Sequence, residues 1–234
     1  MRKRIKGEGE IDFEKILPTP PTLKDTEAGS LEAVYTALFG SDEDVESIIV
    51  KYDGSKSSER RVSVPESLTK AYSENRLKAF LAVIRSHAAV RVTGETAPEL
   101  GALSRVNSEE IPEARVLFYE RMANNYNFNM KTYGVLNWYD WRVREWGTKW
   151  NADCSASSYQ EKGDKDDKAV YKISFSTAWS PPEQVIKELA NHYPELCIQL
   201  RYYEGGMGFQ GRLRLKGNKT IEDRTWNYTG SRGG

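Results

Sequence analysis

A chain of 234 residues with 38% hydrophobic and 29% charged residues is long enough to bury a sizeable core, and it carries 34 charges of each sign. This balance argues against a polyanion that mimics DNA and against a basic coat that binds nucleic acid nonspecifically. The two cysteines, Cys154 and Cys197, lack the spacing of a zinc site or of a disulfide-stapled secreted fold.

Residues 1–30 combine a basic start with the proline-rich run PTPPT, which predicts an extended, poorly packed segment. Within it, IDFEKILP predicts one short packed element. The chain has no apolar run that could span a bilayer, and no hydrophobic segment of signal-peptide type follows its basic start. We therefore expect a cytoplasmic protein without a membrane partner.

Residues 31–107 are predicted to form a mainly helical module. The segment LEAVYTALF has helical spacing, with Ser30 as its expected N-cap and Gly40 as its stop. Ser41 and Asp44 have the spacing of a capping box for a second helix. We interpret the acidic cluster around Asp44 as part of this cap, with a patch for a basic partner as the alternative.

The longest helical pattern covers residues 65–89, with Pro65 in its first turn. His87 lies near its end and is interpreted as a packed side chain or a partner of the helix dipole rather than a catalytic group. Turn formers fill residues 93–107, where we place the module boundary. Ser108 is expected to cap the next helix, EEIPEARVLFYERMANNYN.

A second module is predicted at residues 108–226, followed by a flexible, glycine-rich tail at 227–234. After a helix that ends at Gly147, the pattern predicts strand, strand, helix, strand, strand. The strands are expected at about 149–158, 170–177, 197–204 and 207–216, and the intervening helix at 181–193 with Ser180 as its cap. A four-stranded antiparallel sheet with the helices on one face is the natural closure, which is a ferredoxin-like α+β sandwich.

An ordered series of motifs runs through this second module: YG, WYDW, WGTKW, FSTAWSPP and YYEGGMGFQG. Together they resemble the C-terminal ferredoxin-like domain of the YubB or Api-like family, which occurs in bacteriophages, plasmids and integrated elements. The resemblance covers about the last 100 residues. It implies an accessory protein of a mobile genetic element, in the cytoplasm of a bacterial host, and it brings no catalytic residues with it.

The chain offers no catalytic motif, and we expect no enzyme, metal site or cofactor. The run GMGFQG fits the letters of a dinucleotide-binding loop, but it leads into strand alternation, which predicts a hairpin with positive φ at Gly205 or Gly206. Cys197 and His192 are interpreted as unrelated side chains rather than a catalytic dyad. The acidic run EKGDKDDK contains lysines and lacks the glycine-centred calcium pattern, so a solvated loop is expected.

Five of the six tryptophans lie close together in sequence, and we interpret them mainly as core residues, with base stacking as the alternative. They are Trp138, Trp141, Trp146, Trp150 and Trp179.

Side chains two apart in a strand share a face, so the sheet should present one apolar face to the helices and one polar face to solvent. The predicted open face carries Lys172, Ser174, Gln199, Arg201, Tyr203, Arg212 and Arg214. A basic face with an aromatic side chain is compatible with RNA or single-stranded DNA, although it lacks the aromatic signature of RNA-recognition sheets. Protein docking or simple solvation of this face is the favoured interpretation.

These observations favour a non-enzymatic binding protein of a phage or plasmid. The expected partner is a host protein complex, with CRISPR or restriction machinery inhibited by docking as the leading hypothesis. Binding of single-stranded nucleic acid through the open sheet face is the alternative.

Overall fold

The computed structural model describes residues 11–24, 26, 29–52, 61–87, 110–154, 159–163 and 169–230. The chain divides into two compact units. A helical unit comprises Pro20–Trp138, and an α+β unit combines the segment up to Thr19 with the chain from Tyr139 onward.

The helical unit consists of short N-terminal helices, a central helical pair and one long helix. In chain order its elements are α2 (Pro21–Lys24), a 3-10 turn (Ser30–Glu32), α3 (Ala33–Phe39), α4 (Asp42–Tyr52), β1 (Arg61–Val62), α5 (Glu66–Ala71), α6 (Glu74–His87), β2 (Glu110–Ile111) and α7 (Glu113–Tyr133). β1 and β2 pair in parallel. One apolar core holds the unit together, and α7 contributes Val116, Tyr119, Ala123 and Tyr126 to it.

Two predictions for the helical unit are confirmed. At the start of α4, the Asp44 amide donates to Ser41 Oγ and the Ser41 amide donates to Asp44 Oδ2, both at 3.2 Å, which is a capping box. His87 is 7% exposed, and its Nδ1 lies 2.9 Å from the Val83 carbonyl oxygen, so it is a packed side chain.

Several predicted helix ends are wrong. The helix expected at 65–89 is broken at Tyr72, whose extended backbone (φ −124°, ψ 149°) separates α5 from α6. Glu32, rather than Ser30, holds the N-cap position of α3.

The helix expected after Ser108 begins only at Glu113, because the residue before Pro112 is restricted to extended conformations and Ile111 lies in β2. The expected boundary at 93–107 and Ser108 lie outside the described residues.

The proline-rich run also differs from its prediction, because it is packed rather than loose. Thr19 within the run is almost fully buried, and Leu23, the residue that follows the run, is fully buried. The Asn125 and Asn129 side chains of α7 donate to the Thr22 carbonyl at 3.0 and 3.2 Å, which satisfies a polar group of this segment.

The α+β unit contains α1 (Phe13–Ile16), α8 (Trp138–Trp146), β3 (Tyr159–Gly163), β4 (Ala169–Ile173), α9 (Glu183–His192), β5 (Cys197–Glu204), β6 (Phe209–Lys216) and β7 (Lys219–Asn227). Trp138, the first residue of α8, is assigned to the helical unit. α1 confirms the short packed element expected in IDFEKILP. Phe13 is fully buried and meets the rings of Trp146 and Phe175 edge to face, at 5.7 and 6.0 Å between ring centroids.

A three-stranded antiparallel sheet in the order β5-β6-β7 forms the centre of this unit, and α9 packs on β5 and β6. Val185, Ile186 and Ala190 of α9 are buried, as are Leu200, Leu213 and Leu215 of the sheet. A helical N-terminal region followed by an antiparallel sheet with a helix confirms the predicted α+β class.

The predicted four-stranded sheet is not found among the described residues, because β3 and β4 form a separate antiparallel hairpin. Of the strand expected at 149–158, residues 149–154 make only an isolated bridge between Asp153 and Ser176, and residues 155–158 lie outside the described residues. The acidic residues Asp164, Asp166 and Asp167 lie outside the described residues. The third strand of the sheet, β7, was not predicted.

Two local details also differ from expectation. The β5–β6 hairpin is confirmed, but its glycine with positive φ is Gly208 (φ 77°) rather than Gly205 or Gly206. Ser180 does not cap α9: its hydroxyl donates to the Gly147 carbonyl, and Pro182 holds the N-cap position.

Candidate functional site

The open face of the three-stranded sheet brings polar and aromatic side chains together in rows. Residues paired across neighbouring strands point to the same side, so each row runs across β5, β6 and β7. The rows are Tyr203–Gln210–Trp226, Arg201–Arg212–Arg224 and Gln199–Arg214–Glu222. Five of the seven residues predicted for the open face therefore share it: Gln199, Arg201, Tyr203, Arg212 and Arg214.

Lys172, which was also predicted for the open face, lies elsewhere. It is exposed on β4, where it pairs with Gln160 in the separate hairpin, and Ser174 follows the end of that strand. The expectation that these two side chains belong to the same open face depended on the four-stranded sheet. Their placement on it is accordingly wrong.

The central row places three arginines side by side. Arg201 and Arg212 are directly paired, as are Arg212 and Arg224, and like charges opposite each other destabilise a sheet. Arg212 Nε is buried and has no hydrogen-bond partner within the described part of the chain. A buried donor without a hydrogen-bond partner has an unfavourable desolvation cost. The row is therefore strongly basic, and one of its donors lacks a hydrogen bond within the described residues.

Glu222 offsets part of this charge. Its carboxylate oxygens lie 3.5 Å from Arg212 Nη1 and 3.9 Å from Arg214 Nη1. These distances are long for charge-assisted hydrogen bonds, which are typically about 2.7–2.9 Å. The Glu222 carboxylate thus faces two arginines without binding either tightly. The row Arg201–Arg212–Arg224 therefore keeps a positive net charge.

Aromatic side chains lie beside the arginine row, at the end of the sheet next to the β5–β6 hairpin. Tyr203 is 71% exposed and Trp226 is 43% exposed. Tyr228, just after β7, stacks on Tyr203 with 5.3 Å between ring centroids and 10° between ring planes. The Tyr228 amide donates to the Gly208 carbonyl at 2.7 Å, which anchors the start of the predicted tail to the hairpin.

Four residues of this surface were missed from the sequence: Gln210 of β6, and Glu222, Arg224 and Trp226 of β7. A signal was present, because Gly217-Asn218 is a two-residue hairpin turn and KTIEDRTWN follows it. β7 was not predicted because its sequence lacks the apolar alternation of a half-buried strand. Eight of its nine residues are exposed, and Glu222 is the exception.

The opposite face of the sheet is more closely packed. Gly211 of β6 lies under the ring of Tyr202, its paired residue on β5, and a Cβ at this position would overlap that ring. The Tyr202 and Thr225 hydroxyls lie 2.8 Å apart. Burial, together with the carboxylates of Glu183 and Asp223, raises the pKa of Tyr202 above its ordinary value.

Groups with possible chemical reactivity are scattered. Cys197 is exposed at the start of β5, and His192 Nε2 lies 3.0 Å from Glu188 Oε1, in an i,i+4 pair on α9. Within the described ranges, no three His, Cys, Asp or Glu side chains are arranged to hold a metal ion. No helix among these residues is long and apolar enough to cross a bilayer.

Of the five tryptophans interpreted as core residues, two are buried, two are exposed and Trp138 is half-buried. Trp141 and Trp146 are buried, as predicted, and their rings meet edge to face at 6.2 Å. Trp150 and Trp179 are 56% and 73% exposed, so the interpretation of these two as core residues is wrong. Both lie in irregular segments, one after α8 and one before α9, where neither helical nor strand periodicity places a side chain in the core.

Comparison with known proteins supports the fold of the C-terminal region. Residues 158–232 match a family model described as a ferredoxin-like domain in Api92-like protein. No significant match was found among curated proteins or among solved structures. The ferredoxin-like assignment therefore holds for the region that contains the three-stranded sheet.

Proposed function

We propose that this protein is a non-enzymatic binding protein and that the open face of its β5-β6-β7 sheet binds single-stranded RNA or DNA. The observation that carries the proposal is the arginine row, Arg201–Arg212–Arg224, which lies beside an aromatic row. The role is binding alone, without a chemical step or a cofactor.

The electrostatics of the row favour an anionic ligand. Three paired arginines reduce the stability of the free sheet, and phosphate groups placed over them would reverse the sign of that interaction. Because single strands carry regularly spaced phosphates, one strand can contact several members of the row.

The aromatic side chains supply the second part of a single-strand site. Proteins that bind such strands combine a basic track with rings on which bases stack. Tyr203 and Trp226 are exposed next to the basic track, and Tyr228 supports the ring of Tyr203 from one side. A base that stacks on these rings would leave its phosphate near the arginine row.

Charge reversal at the ends of the row tests this proposal. We expect Arg201→Glu with Arg224→Glu to abolish salt-sensitive binding of a labelled single-stranded oligonucleotide, measured by fluorescence anisotropy. These two positions are preferred to Arg212 and Arg214, since a glutamate there would face Glu222 and disturb the fold. The single changes Arg201→Gln and Arg224→Gln should each make the slope of log K against log salt less negative, by about 0.7 for every phosphate that the protein no longer neutralises.

The matched control makes the same change of charge on the helical unit. Lys70→Glu with Lys131→Glu alters two exposed lysines of α5 and α7 and should leave the affinity within about twofold of the unaltered protein. If the Arg201 and Arg224 variant is folded and binds with unchanged affinity and salt dependence, the open face is not the nucleic-acid site.

A second candidate function is inhibition of a host defence complex by a protein of a mobile genetic element, acting in the bacterial cytoplasm. The support is the family resemblance of the motifs from YG to YYEGGMGFQG, together with two exposed apolar side chains at the sheet. Met207 in the β5–β6 hairpin is 73% exposed, and Ile221, the extra residue at the β6–β7 bulge, is 52% exposed. They lie near opposite ends of β6, so each would contact a docked protein as a single anchor rather than as part of one apolar patch.

An affinity capture from bacterial lysate, with and without nuclease, separates these two candidates. A stoichiometric host protein that survives nuclease treatment and is absent from the capture with a Met207→Ser, Ile221→Ser variant would support docking. Full activity of CRISPR and restriction complexes in the presence of the protein, with no binding, would contradict it.

A further inference from the structure

Trp179 occupies a strained turn between β4 and α9. Its φ is +69°, and within the described ranges no other residue besides glycine has a positive φ. The Ser180 amide donates to the Ala178 carbonyl at 2.9 Å, so Trp179 is the central residue of a γ-turn of the rare hand. Residues with large side chains seldom adopt this conformation, and it persists only where surrounding contacts enforce it.

Those contacts are present on both sides of the turn. Thr148, which is almost fully buried, donates its hydroxyl to the Ala178 carbonyl at 2.8 Å, and the Thr177 hydroxyl donates to the Ser180 carbonyl at 2.9 Å. The Ser180 hydroxyl donates to the Gly147 carbonyl. The strained backbone at Trp179 is therefore held by hydrogen bonds that do not involve the indole.

The indole is held out into solvent rather than packed. Trp179 is 73% exposed, so the fold gains little from burying its large apolar surface. A glycine would satisfy the backbone at this position without strain. Tryptophan is thus an unfavourable residue for the fold here, and a strained, exposed aromatic side chain is typical of a binding contact.

Two further side chains complete a cluster with Trp179. The Lys149 ammonium lies 5.3 Å from the Trp179 ring centroid and 4.1 Å from that of Trp150, which is 56% exposed. The cluster therefore offers two exposed indole rings with one cation over both of them. A base and its phosphate complement these groups, whereas a basic peptide side chain would be repelled by Lys149.

We propose that Trp150, Trp179 and Lys149 form a second contact for the single strand bound by the sheet, with a base stacked on an indole and the adjacent phosphate bound by Lys149. This inference rests on the proposed function, because it takes the ligand to be the same nucleic acid. It adds a site outside the sheet, held by the chain between α8 and α9.

Paired substitutions separate binding from stability. Trp179→Gly and Trp179→Ala should each raise the Kd for an oligothymidylate of about 15 nucleotides by roughly tenfold, since each removes one stacking surface. The glycine variant should unfold at a higher temperature than the alanine variant, because only glycine adopts the observed φ without strain. Phe128→Ala, at an exposed aromatic residue of the helical unit, is the control and should not change the Kd.

Nuclear magnetic resonance identifies the contact directly. The indole N–H signals of Trp150 and Trp179, assigned by substitution, should shift on titration with the oligothymidylate. Thymidine monophosphate should cause no saturable shift at the same nucleotide concentration. Saturation by the monophosphate with equal affinity, or an oligonucleotide Kd that Trp179→Gly leaves unchanged, would overturn the second contact.

The outcome also distinguishes this inference from the proposed function. If the Arg201 and Arg224 variant loses binding while Trp179→Gly retains it, the sheet site stands and the second contact fails. If Trp179→Gly weakens binding while the arginine variant does not, the second contact stands and the sheet site fails. No binding of single strands by the unaltered protein would overturn both.

Discussion

Tyr202 shows how a single side chain joins the sheet to its helix. Its ring covers Gly211, its hydroxyl meets Thr225, and the carboxylate of Glu183 at the start of α9 contributes to its raised pKa. The fold therefore favours the neutral phenol, since ionisation would place a negative charge in a partly buried position near carboxylates.

This preference predicts a pH dependence of stability. Above the ordinary tyrosine pKa of 10.0, the unfolded chain loses the Tyr202 proton while the folded chain retains it. The stabilising contribution is therefore complete below that value and is lost as the pH rises through the folded pKa.

We expect the advantage of the unaltered protein over Tyr202→Phe in free energy of unfolding to be constant from about pH 7 to about pH 9 and to decrease above about pH 10. Chemical denaturation followed by circular dichroism measures the difference, and the remaining tyrosines cancel between the two proteins. A difference that grows with rising pH would contradict the raised pKa.

Gly211 illustrates a constraint at the scale of elements, because β6 must pass beneath a ring that belongs to β5. Gly211→Ala would place a methyl group inside the Tyr202 ring and should destabilise the protein by about 1–3 kcal/mol, through displacement of β6 or of the ring. Thermal denaturation measures the loss.

A double-mutant cycle provides the control for this clash. In a Tyr202→Ala background the ring is absent, and Gly211→Ala should then be nearly neutral or slightly stabilising, because alanine suits a strand better than glycine. An equal loss in both backgrounds would show that the ring is not the cause.

Elements differ in how clearly their sequences separate a buried face from an exposed one, and this difference explains what could be predicted. α8, α9, β5 and β6 have clear periodicity and buried faces, so their existence and most of the open face followed from the pattern. β7 has exposed side chains on both sides and leaves no such pattern, which is why Arg224 and Trp226 were missed. The conformation of Trp179 was not predicted for a different reason, since its γ-turn is held by hydrogen bonds to Gly147 and Thr148, which are distant in sequence and leave no local signature.

At the scale of the whole molecule, the α+β unit is discontinuous in sequence. The match to the ferredoxin-like family model begins at residue 158, yet the compact unit also includes α1, near the start of the chain. Besides the burial of Phe13, the Trp146 indole donates to the Leu17 carbonyl at 2.8 Å, and Arg142 Nη2 lies 2.8 Å from Glu14 Oε1. The region that matches the family model is therefore only part of the structural unit.

A chain shortened to begin at Pro20 tests this organisation. Removal of α1 uncovers Trp146 and leaves Arg142 without Glu14, so the α+β unit should lose several kcal/mol of stability, comparable with the roughly 3–5 kcal/mol expected for Phe13→Ala. Hydrogen exchange followed by mass spectrometry should show faster exchange in α8 and α9 and unchanged exchange in α3, α6 and α7. Equal acceleration in both groups of helices would contradict the division into units.

The exposed edge strand has a consequence for how this surface can change over evolutionary time. β7 supplies Arg224 and Trp226 to the open face, while the buried leucines of the sheet belong to β5 and β6. Substitutions at exposed positions usually alter stability by less than about 0.5 kcal/mol. Mutation and selection can therefore revise what this edge recognises, one residue at a time, without first having to compensate for a damaged core.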